Sequence, residues 1–402
     1  MSKRVVLHAD ANSFYASVEC VLNPEYAKVP MAVAGSADMR HGIILAKNEL
    51  AKGFGVKTAE TIWQARRKCP NLVLTPPRHH IYAEFSNRIN EIYEQYSDLC
   101  ERFGIDETFI DVTNVRHLFG DGKAIADTLR ERIKKEIGLT ISVGVSFNKV
   151  FAKLGSDYKK PDATTVITAG NFRSIVWPLP VNNLLFVGRA AGKALEAMGI
   201  RVIDDLANCD KAAIARKLGK AGEVIHDYAN GLDESPVAPA HEHHGIKSVG
   251  NGMTFRRDLL GYDDISAAVA MLSDEVSGRM RKHSLKCRTV SIMIKTPDFK
   301  TITRQATLER PTNFLKELRD TAMTIIAESW NINEPIRMLT ITGNNLVGGD
   351  EAVEQMSLFE DAKETEKQGR LNAAMDDIRA RFGENALKFG MPVVKDLWSS
   401  DA

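Results

Sequence analysis

Three carboxylates in apolar, strand-like runs constrain the fold of this chain more than any other feature of its sequence. The run "VVLHAD" ends in Asp10, and the run "GIDETFIDVT" carries Asp106 and Glu107 side by side. Because adjacent residues of a strand point to opposite faces, both Asp106 and Glu107 reach one site only where the strand ends or twists. Such carboxylates repel each other unless a divalent cation neutralises them, and oxygen ligands suit Mg²⁺. Two interpretations stay open, an ordinary strand end at the surface and a metal site between neighbouring strands.

The order of segments predicts more than one domain in these 402 residues. Strand-like and helix-like runs alternate through residues 1–168, which predicts an α/β sandwich with a sheet open on one face. Short helices with Gly-rich turns follow up to residue 234, and then a polar, proline-containing linker. A second mixed segment of strands and helices occupies residues 246–346.

Charge is unevenly distributed, although the net charge is only +1. Residues 244–310 carry 12 Lys and Arg against 7 Asp and Glu, whereas residues 347–402 carry 7 against 12. A basic module beside an acidic tail suits nucleic acid on one side and a protein partner on the other, but unevenly solvated faces are an equally good explanation.

The sequence also argues against several classes of protein. Nothing near the N terminus resembles a signal peptide, and no run approaches the roughly 18 apolar residues of a membrane span. The five cysteines lie far apart with no C-x-x-C, so neither a zinc site nor a disulfide framework is indicated. We therefore expect a cytoplasmic protein.

Three motifs, in order, resemble those of the Y-family translesion DNA polymerases. They are "HADANSFYASVE", "GIDETFIDVT" and "GVSFNKVFAKLGSDYKKP". The resemblance covers residues 1 to about 346 and is closest to the bacterial DNA polymerase IV branch. It implies an α/β (α+β) right hand with a ferredoxin-like palm, small fingers, a helical thumb with a helix-hairpin-helix, and an α/β little-finger domain. The implied boundaries are palm 1–27 and 78–168, fingers 28–77, thumb 169–234, linker 235–245, DNA-binding little finger 246–346, and acidic tail 347–402.

The resemblance implies template-directed, low-fidelity DNA synthesis past damaged template by two-metal nucleotidyl transfer. Asp10, Asp106 and Glu107 match the catalytic carboxylates that hold two Mg²⁺ ions. Primer–template DNA and deoxynucleoside triphosphates (dNTPs) are the implied substrates. The alternative, a DNA- and clamp-binding scaffold with a weakened polymerase site, is motivated by departures from the family pattern at Glu49, Lys52 and Phe186.

In the nucleotide site inferred from the resemblance, some residues match the family pattern and others differ from it. Phe14 and Tyr15 match an aromatic pair that contacts the nucleotide, with Tyr15 at the steric gate that rejects ribonucleotides. Lys160 matches a lysine that contacts the triphosphate. Where the family carries Tyr-x-x-Arg, this chain has Glu49 and Lys52, which are spaced to pair with each other on a helix. We expect weaker dNTP binding than in relatives that keep Tyr and Arg.

Contacts with DNA and with a protein partner are implied for the rest of the chain. "LLFVGRAAGKALEAMGI" resembles a helix-hairpin-helix in which Gly188 remains but Phe186 replaces the usual first glycine. "QMSLFE" resembles a sliding-clamp-binding peptide, with Gln355, Leu358 and Phe359 as its contacts to the clamp (the β subunit). We expect the chain to act as a monomer. The little-finger residues expected to contact DNA phosphates are Arg256, Arg257, Arg288 and Lys295.

Overall fold

The computed structural model describes residues 4–35, 42–242, 245–348, 362–383 and 386–387. These residues form two compact units that divide inside the segment predicted as the linker. Unit one holds the described residues up to 35 and from 43 to 242, and unit two holds those from 245 onward. Both units mix strands and helices, as the predicted fold class requires. Among the described residues, every helix is too short or too polar to cross a membrane.

Unit one begins with the first strand and ends after a group of short helices. Its strands are β1 (Val6–Ala11), β2 (Met31–Ala34), β3 (Ile44–Lys47), β4 (Val73–Thr75), β5 (Cys100–Arg102), β6 (Glu107–Asp111), β7 (Ile141–Ser146) and β8 (Thr164–Ile167). Its helices are α1 (Phe14–Leu22), α2 (Glu49–Gly53), α3 (Ile62–Lys68), α4 (His79–Glu94), α5 (Arg116–Phe119), α6 (Gly122–Glu136), α7 (Lys149–Tyr158), α8 (Phe172–Val176), α9 (Arg189–Glu196), α10 (Ile203–Asn208), α11 (Lys211–Leu218) and α12 (Lys220–Ala229), with 3₁₀ turns at Pro24–Lys28 and Val181–Asn183.

A five-stranded sheet in the order β5-β6-β1-β7-β8 forms the centre of unit one. β1 pairs antiparallel with β6 and β7, and β7 pairs parallel with β8. Alternation along β1 divides its side chains between two layers. Leu7 and Ala9 join the core with α1, α4 and α6, whereas Val6 and His8 lie on the side of α7.

The contact between α7 and the sheet depends on a glycine. A Cβ on Gly144 of β7 would lie 1.8 Å from the carbonyl oxygen of Ala152 in α7. Only a residue without a side chain allows this approach, so the backbone of α7 rests directly on β7. This close approach fixes the depth at which Lys153 and Ser156 of α7 lie over β1.

A smaller sheet, β3-β2-β4, and the helices α2 and α3 form the region predicted as the fingers. The side chain of Asn48 accepts hydrogen bonds from the backbone N–H groups of Met31 and Ala51, so it joins β2 to the start of α2. Thr61 and Gln64 form a capping box at the start of α3. Strand β4 was not predicted from the sequence, because three residues carry too little periodicity.

The short helices α8 to α12 form the region predicted as the thumb, and their core includes Phe151 of α7. The first part of the predicted linker packs against unit one instead of crossing solvent. Val237 is buried against Val6, Phe109 and Ala152. The backbone N–H of Ala240 also donates to the carbonyl of Asp98 at 2.9 Å.

Unit two is a four-stranded antiparallel sheet in the order β11-β10-β12-β9. Two long helices, α13 and α14, cover one face of this sheet, against the alternating buried residues Val290, Ile292 and Ile294 of β10. Its elements are β9 (Ser248–Leu259), α13 (Gly261–Lys282), β10 (Leu285–Lys295), β11 (Thr301–Thr312), α14 (Leu315–Ser329), β12 (Ile336–Gly348) and α15 (Ala362–Phe382).

The acidic tail contains a helix, α15, which belongs to unit two. The guanidinium of Arg379 forms two hydrogen bonds, of 3.0 and 2.6 Å, with the carboxylate of Asp274 in α13. Arg281 of α13 pairs in the same way with Asp376, at 2.6 and 2.7 Å. Met375, the residue before Asp376, is buried. The tail helix is therefore docked on the little-finger region, which the sequence did not indicate.

Candidate active site

The three predicted carboxylate residues come together where β1 ends and β6 begins. Asp10 and Glu107 are directly paired residues of the two antiparallel strands. Asp106 lies immediately before β6, and its carbonyl oxygen accepts a hydrogen bond from the backbone N–H of Ala11 at 3.0 Å. Because Asp106 precedes the regular strand, its side chain is not bound by the strict alternation of faces along β6.

Asp10 is almost fully buried and is paired with a lysine. Its Oδ2 atom lies 2.6 Å from Nζ of Lys160, which also lies 2.7 Å from Oδ1 of Asp157. Burial raises the pKa of Asp10 to about 6, and the nearby charges of Glu107 and Asp106 act in the same direction, while Lys160 opposes them. The fold therefore places a carboxylate where the charged form is costly without a cation.

Glu107 is held by two residues that the motif did not single out as its partners. Lys153 of α7 forms an ion pair with its Oε2 atom, and Nε2 of the buried His8 lies 3.4 Å from the same oxygen. Burial favours a higher pKa, but the contacts with His8 and Lys153 outweigh it and bring the pKa of Glu107 down to about 2. Nδ1 of His8 lies 2.8 Å from Oγ of Ser156, which fixes the orientation of the ring.

Asp106 is the third carboxylate of the group, and the neighbouring Glu107 affects its pKa. Burial, and then the charge of Glu107, raise the pKa of Asp106 above its usual value. In the described part of the chain, no three His, Cys, Asp or Glu side chains are already arranged to hold one metal ion. Lys160 and Lys153 instead neutralise the carboxylates of Asp10 and Glu107. A set of oxygen donors, two of which have raised pKa values, fits a hard divalent cation such as Mg²⁺.

Asn12, two residues after Asp10, has a structural role. Its Nδ2 group donates to Oγ of Ser142 at 2.9 Å, and its Oδ1 atom accepts from the backbone N–H of Asp162 at 2.9 Å. An amide can both donate and accept, whereas a carboxylate can only accept. Asn12 thus joins β7 to the segment that follows Lys160.

Tyr15 lies beside the carboxylates with its ring supported from behind. Its ring stacks on Tyr82 of α4 at a centroid distance of 4.2 Å, and His79 meets it edge-on at 5.7 Å. Burial and the charge of Asp106 raise the pKa of the Tyr15 phenol, which places that carboxylate close to the ring. The Phe14 ring is 3% exposed and packs in the core of unit one, and the contact of Phe14 with a nucleotide stays a prediction.

In the fingers region, the two residues that depart from the family pattern, Glu49 and Lys52, form an ion pair. Nζ of Lys52 lies 3.3 Å from Oε2 of Glu49, as their helical spacing predicts. Oγ of Ser13 donates to Oε1 of Glu49 at 3.4 Å, so this carboxylate also contacts the segment between β1 and α1. The neighbouring Lys47 donates to Oγ1 of Thr58 at 3.0 Å. A cavity of about 430 Å³ opens beside Ser13 and Glu49.

The residues predicted to contact DNA have different surroundings. Gly188 is the N-cap residue of α9 and provides no side-chain cap, and the space where a Cβ on Gly188 would lie is open. Arg256 and Arg288 are exposed on β9 and β10. Lys295 lies near the ring of Phe299, with Nζ 5.5 Å from its centroid. Arg257 pairs with Asp264 at the start of α13 while its side chain stays 42% exposed, so its contact with DNA stays a prediction.

Lys149, which shares a helix face with Lys153, turns to Glu101 with Nζ–O distances of 2.6 and 2.7 Å, away from the carboxylate group. The predicted clamp contacts Gln355, Leu358 and Phe359 lie outside the described residues.

Sequence reasoning missed His8 and Tyr82 as parts of the site. His8 carries a signal in retrospect, since a histidine two residues before Asp10 on a buried strand must face the same side. Tyr82 carries a weaker one, because "HHIYAEF" places aromatic groups one helical turn apart without showing what they face.

Comparison with known proteins places the chain in a family. Models of the impB/mucB/samB family and of its C-terminal domain match residues 9–157 and 246–358. DNA polymerase IV of Acetivibrio thermocellus is 47% identical over 97% of both chains, and that of Pelotomaculum thermopropionicum is 38% identical over 95% of this chain and 94% of its own. A Y-family DNA polymerase chimera has the same fold, with a TM-score of 0.75 at 22% identity over 86% of this chain and 99% of its own. The chain therefore belongs to the impB/mucB/samB family, which is the Y family of DNA polymerases, among the relatives named DNA polymerase IV.

Proposed function

We propose that this chain is a Mg²⁺-dependent DNA polymerase that extends a primer along a template, including past damaged bases, with low fidelity. The observation that carries the proposal is the group of three carboxylate residues at the paired ends of β1 and β6, with Tyr15 beside it. Family membership agrees with this activity. Small fingers around an open site fit a template base that is distorted.

The catalytic roles follow from the positions of the carboxylates. Asp10, Asp106 and Glu107 would hold two Mg²⁺ ions, which activate the primer hydroxyl and stabilise the leaving pyrophosphate. Lys160, whose Nζ lies 2.6 Å from Oδ2 of Asp10, would contact the triphosphate of the incoming nucleotide. Lys153 and His8 would keep the Glu107 side chain on the α7 side of the sheet.

Tyr15 and Lys52 would select and hold the nucleotide. The flat ring of Tyr15, fixed by Tyr82, would leave no room for a 2′-hydroxyl, so ribonucleotides would be rejected by overlap. Lys52 would contribute a charge to triphosphate binding but not the two-pronged hydrogen bonding of an arginine. Its pairing with Glu49 would weaken that contribution further.

DNA and partner contacts complete the proposal. Gly188 would offer backbone N–H groups at the start of α9 to a DNA phosphate. Arg256, Arg288 and Lys295 would contact phosphates without reading sequence, and Arg257 would support them through Asp264. We further propose that Gln355, Leu358 and Phe359 bind the sliding clamp, and that the chain acts as a monomer in the cytoplasm.

Primer extension tests the proposed function directly. Wild type with a primer–template, dNTPs and Mg²⁺ should extend the primer, and chelation of the metal should stop extension. Asp106→Ala should abolish extension while leaving duplex binding in place. Asp111→Asn is the matched control, because Asp111 lies on the same strand but pairs with Arg4 and caps the backbone of Thr113. Duplex binding by a wild type that never extends primers would instead favour the scaffold.

A further inference from the structure

Phe186 combines two features that a folded protein normally avoids in one residue. Its backbone has a φ of 69°, in the left-handed region that favours glycine. Its ring is 63% exposed, although Leu184 and Val187 on either side are buried. The ring centroid lies 6.1 Å from that of Tyr228.

Neither feature is explained by the packing of the thumb region. A glycine would adopt this backbone conformation without a steric cost, and a polar side chain would expose less apolar surface. A bulky residue in a disfavoured conformation, with its ring facing solvent, is a reason to look for a function at that position.

Two cations, Arg189 and Lys193, follow Phe186 closely in the chain. Gly188, two residues after Phe186, is the N-cap residue of α9, and no side chain caps the N–H groups at the start of this helix. Arg189 and Lys193 are one turn apart on α9, so they lie on one face of that helix. In the part of the chain that the structure describes, neither of these two cations forms an ion pair.

We propose that Phe186 packs against a deoxyribose of duplex DNA, next to a phosphate held by Gly188 and Arg189. A DNA strand alternates an apolar sugar with an anionic phosphate, and this hairpin alternates an exposed ring with cations and free N–H groups. The proposal rests on the proposed polymerase function and adds a residue to its DNA-binding surface. Contact with sugar is independent of base sequence, so the ring strengthens binding without selecting a site.

Fluorescence anisotropy with a labelled primer–template separates the contribution of the Phe186 ring to duplex binding from that of the Arg189 charge. Phe186→Ala should weaken duplex binding roughly tenfold by removing apolar contact area, with the same dependence on salt as wild type. Arg189→Ala should reduce the slope of log affinity against log salt by about 1, because one phosphate contact is lost. Leu232→Ala is the matched control, since Leu232 is an equally exposed apolar residue of unit one, at 64%, and should leave the affinity unchanged.

A second variant guards against a simple loss of folding. Phe186→Gly removes the ring and also relieves the backbone, so its denaturation midpoint should equal or exceed that of wild type while its duplex affinity falls as in Phe186→Ala. A lower midpoint would make the ring part of the hairpin's own packing and overturn the proposal.

The outcomes also distinguish this proposal from the proposed function. If wild type extends primers but both Phe186 variants bind duplex within twofold of it, only the role of Phe186 is wrong, and a protein partner becomes the better explanation of the ring. If wild type neither binds duplex nor extends primers, both proposals fail together.

Discussion

Tyr15 and Tyr82 act as a stacked pair at the scale of single residues. Because Tyr82 fixes the Tyr15 ring at 4.2 Å, the proposed gate depends on both rings. We expect Tyr15→Ala to raise ribonucleotide incorporation roughly 10- to 100-fold, since steric overlap costs about 1–3 kcal/mol. Single-nucleotide incorporation with matched ribo- and deoxyribonucleotides measures this ratio, and an unchanged ratio would contradict the assignment of the gate.

The supporting ring gives a second, graded test. Tyr82→Leu removes the stacking surface and should lower sugar discrimination by less than Tyr15→Ala does. Tyr82→Phe keeps the ring and loses only the hydrogen bond from its hydroxyl to Glu19, so discrimination should stay near that of wild type. Equal effects of the two Tyr82 variants would show that the hydroxyl, and not the stacked ring, is what matters.

The ion pair between Glu49 and Lys52 leads to a prediction about the affinity for the incoming dNTP. The carboxylate of Glu49 both pairs with Lys52 and repels a triphosphate, so replacing the two residues together by Tyr and Arg should lower the KM for dNTPs about 3- to 10-fold. Glu49→Gln alone should give part of this gain, because it releases Lys52 without adding a new contact. Steady-state incorporation kinetics measure both, and a KM that does not move would show that the triphosphate is held elsewhere.

The sequence could identify the carboxylates but not the residues that hold them. Asp10, Asp106 and Glu107 stand out because charged residues are rare in buried strands. The pairing of Glu107 with His8 and Lys153 depends on α7 crossing the sheet, and the burial of Phe14 depends on which face of α1 meets α4. Both are properties of packing between segments far apart in the chain, which local periodicity does not encode.

The docking of α15 is the clearest prediction at the scale of elements. Arg379 is nearly buried, and its removal would leave the carboxylate of Asp274 without its partner, at a cost of about 1–3 kcal/mol. Arg379→Ala should therefore release α15 and speed its cleavage in limited proteolysis at least roughly tenfold. Arg381→Ala is the control. Arg381 is exposed, and its Nη2 atom lies 4.0 Å from Oδ2 of Asp377, so it forms a weak ion pair at most. Similar cleavage of both variants would mean that the ion pair does not hold the helix.

Elements with a strong period were predictable, and those without one were not. The strands β1, β6, β7 and β10 and the helices α6 and α7 follow apolar patterns that the sequence shows plainly. Strand β4 has three residues, which is too few to show a period. The apolar stripe of α15 is too weak to predict that this helix packs against another element. Its ion pairs with α13 join residues about a hundred positions apart, which no local pattern can indicate.

At the scale of the whole molecule, unit two has a complete core of its own. The sheet β9 to β12 closes on α13 and α14 around residues such as Phe255, Leu272 and Ile341. A fragment from residue 245 to the C terminus should therefore unfold cooperatively in denaturant and bind duplex DNA with strong salt dependence, without extending a primer. Circular dichroism and anisotropy test this, and a fragment with no cooperative transition would show that the core is not sufficient.

The sequence predicted the order of the regions but not the character of the linker. Two prolines and several polar residues favour an extended tether, yet Val237 is buried and Ala240 is hydrogen-bonded to unit one. Composition reports how a segment interacts with solvent, whereas docking depends on a surface supplied by other residues. Only the part of the predicted linker after Ala240 lacks such contacts among the described residues.

The contact at Gly144 has a consequence for how this protein can evolve. Any side chain there would push α7 off the sheet and displace Lys153 and Ser156, together with the chain leading to Lys160, in a single step. The backbone at this point has an ordinary conformation, so turn geometry gives no hint that the position is restricted. Under selection for survival of DNA damage, Gly144 would tolerate as little change as the carboxylates, although it touches neither metal nor nucleotide. A scan of mutational tolerance would thus find Gly144, whose role is to leave space for the backbone of α7, as sensitive to substitution as the catalytic residues.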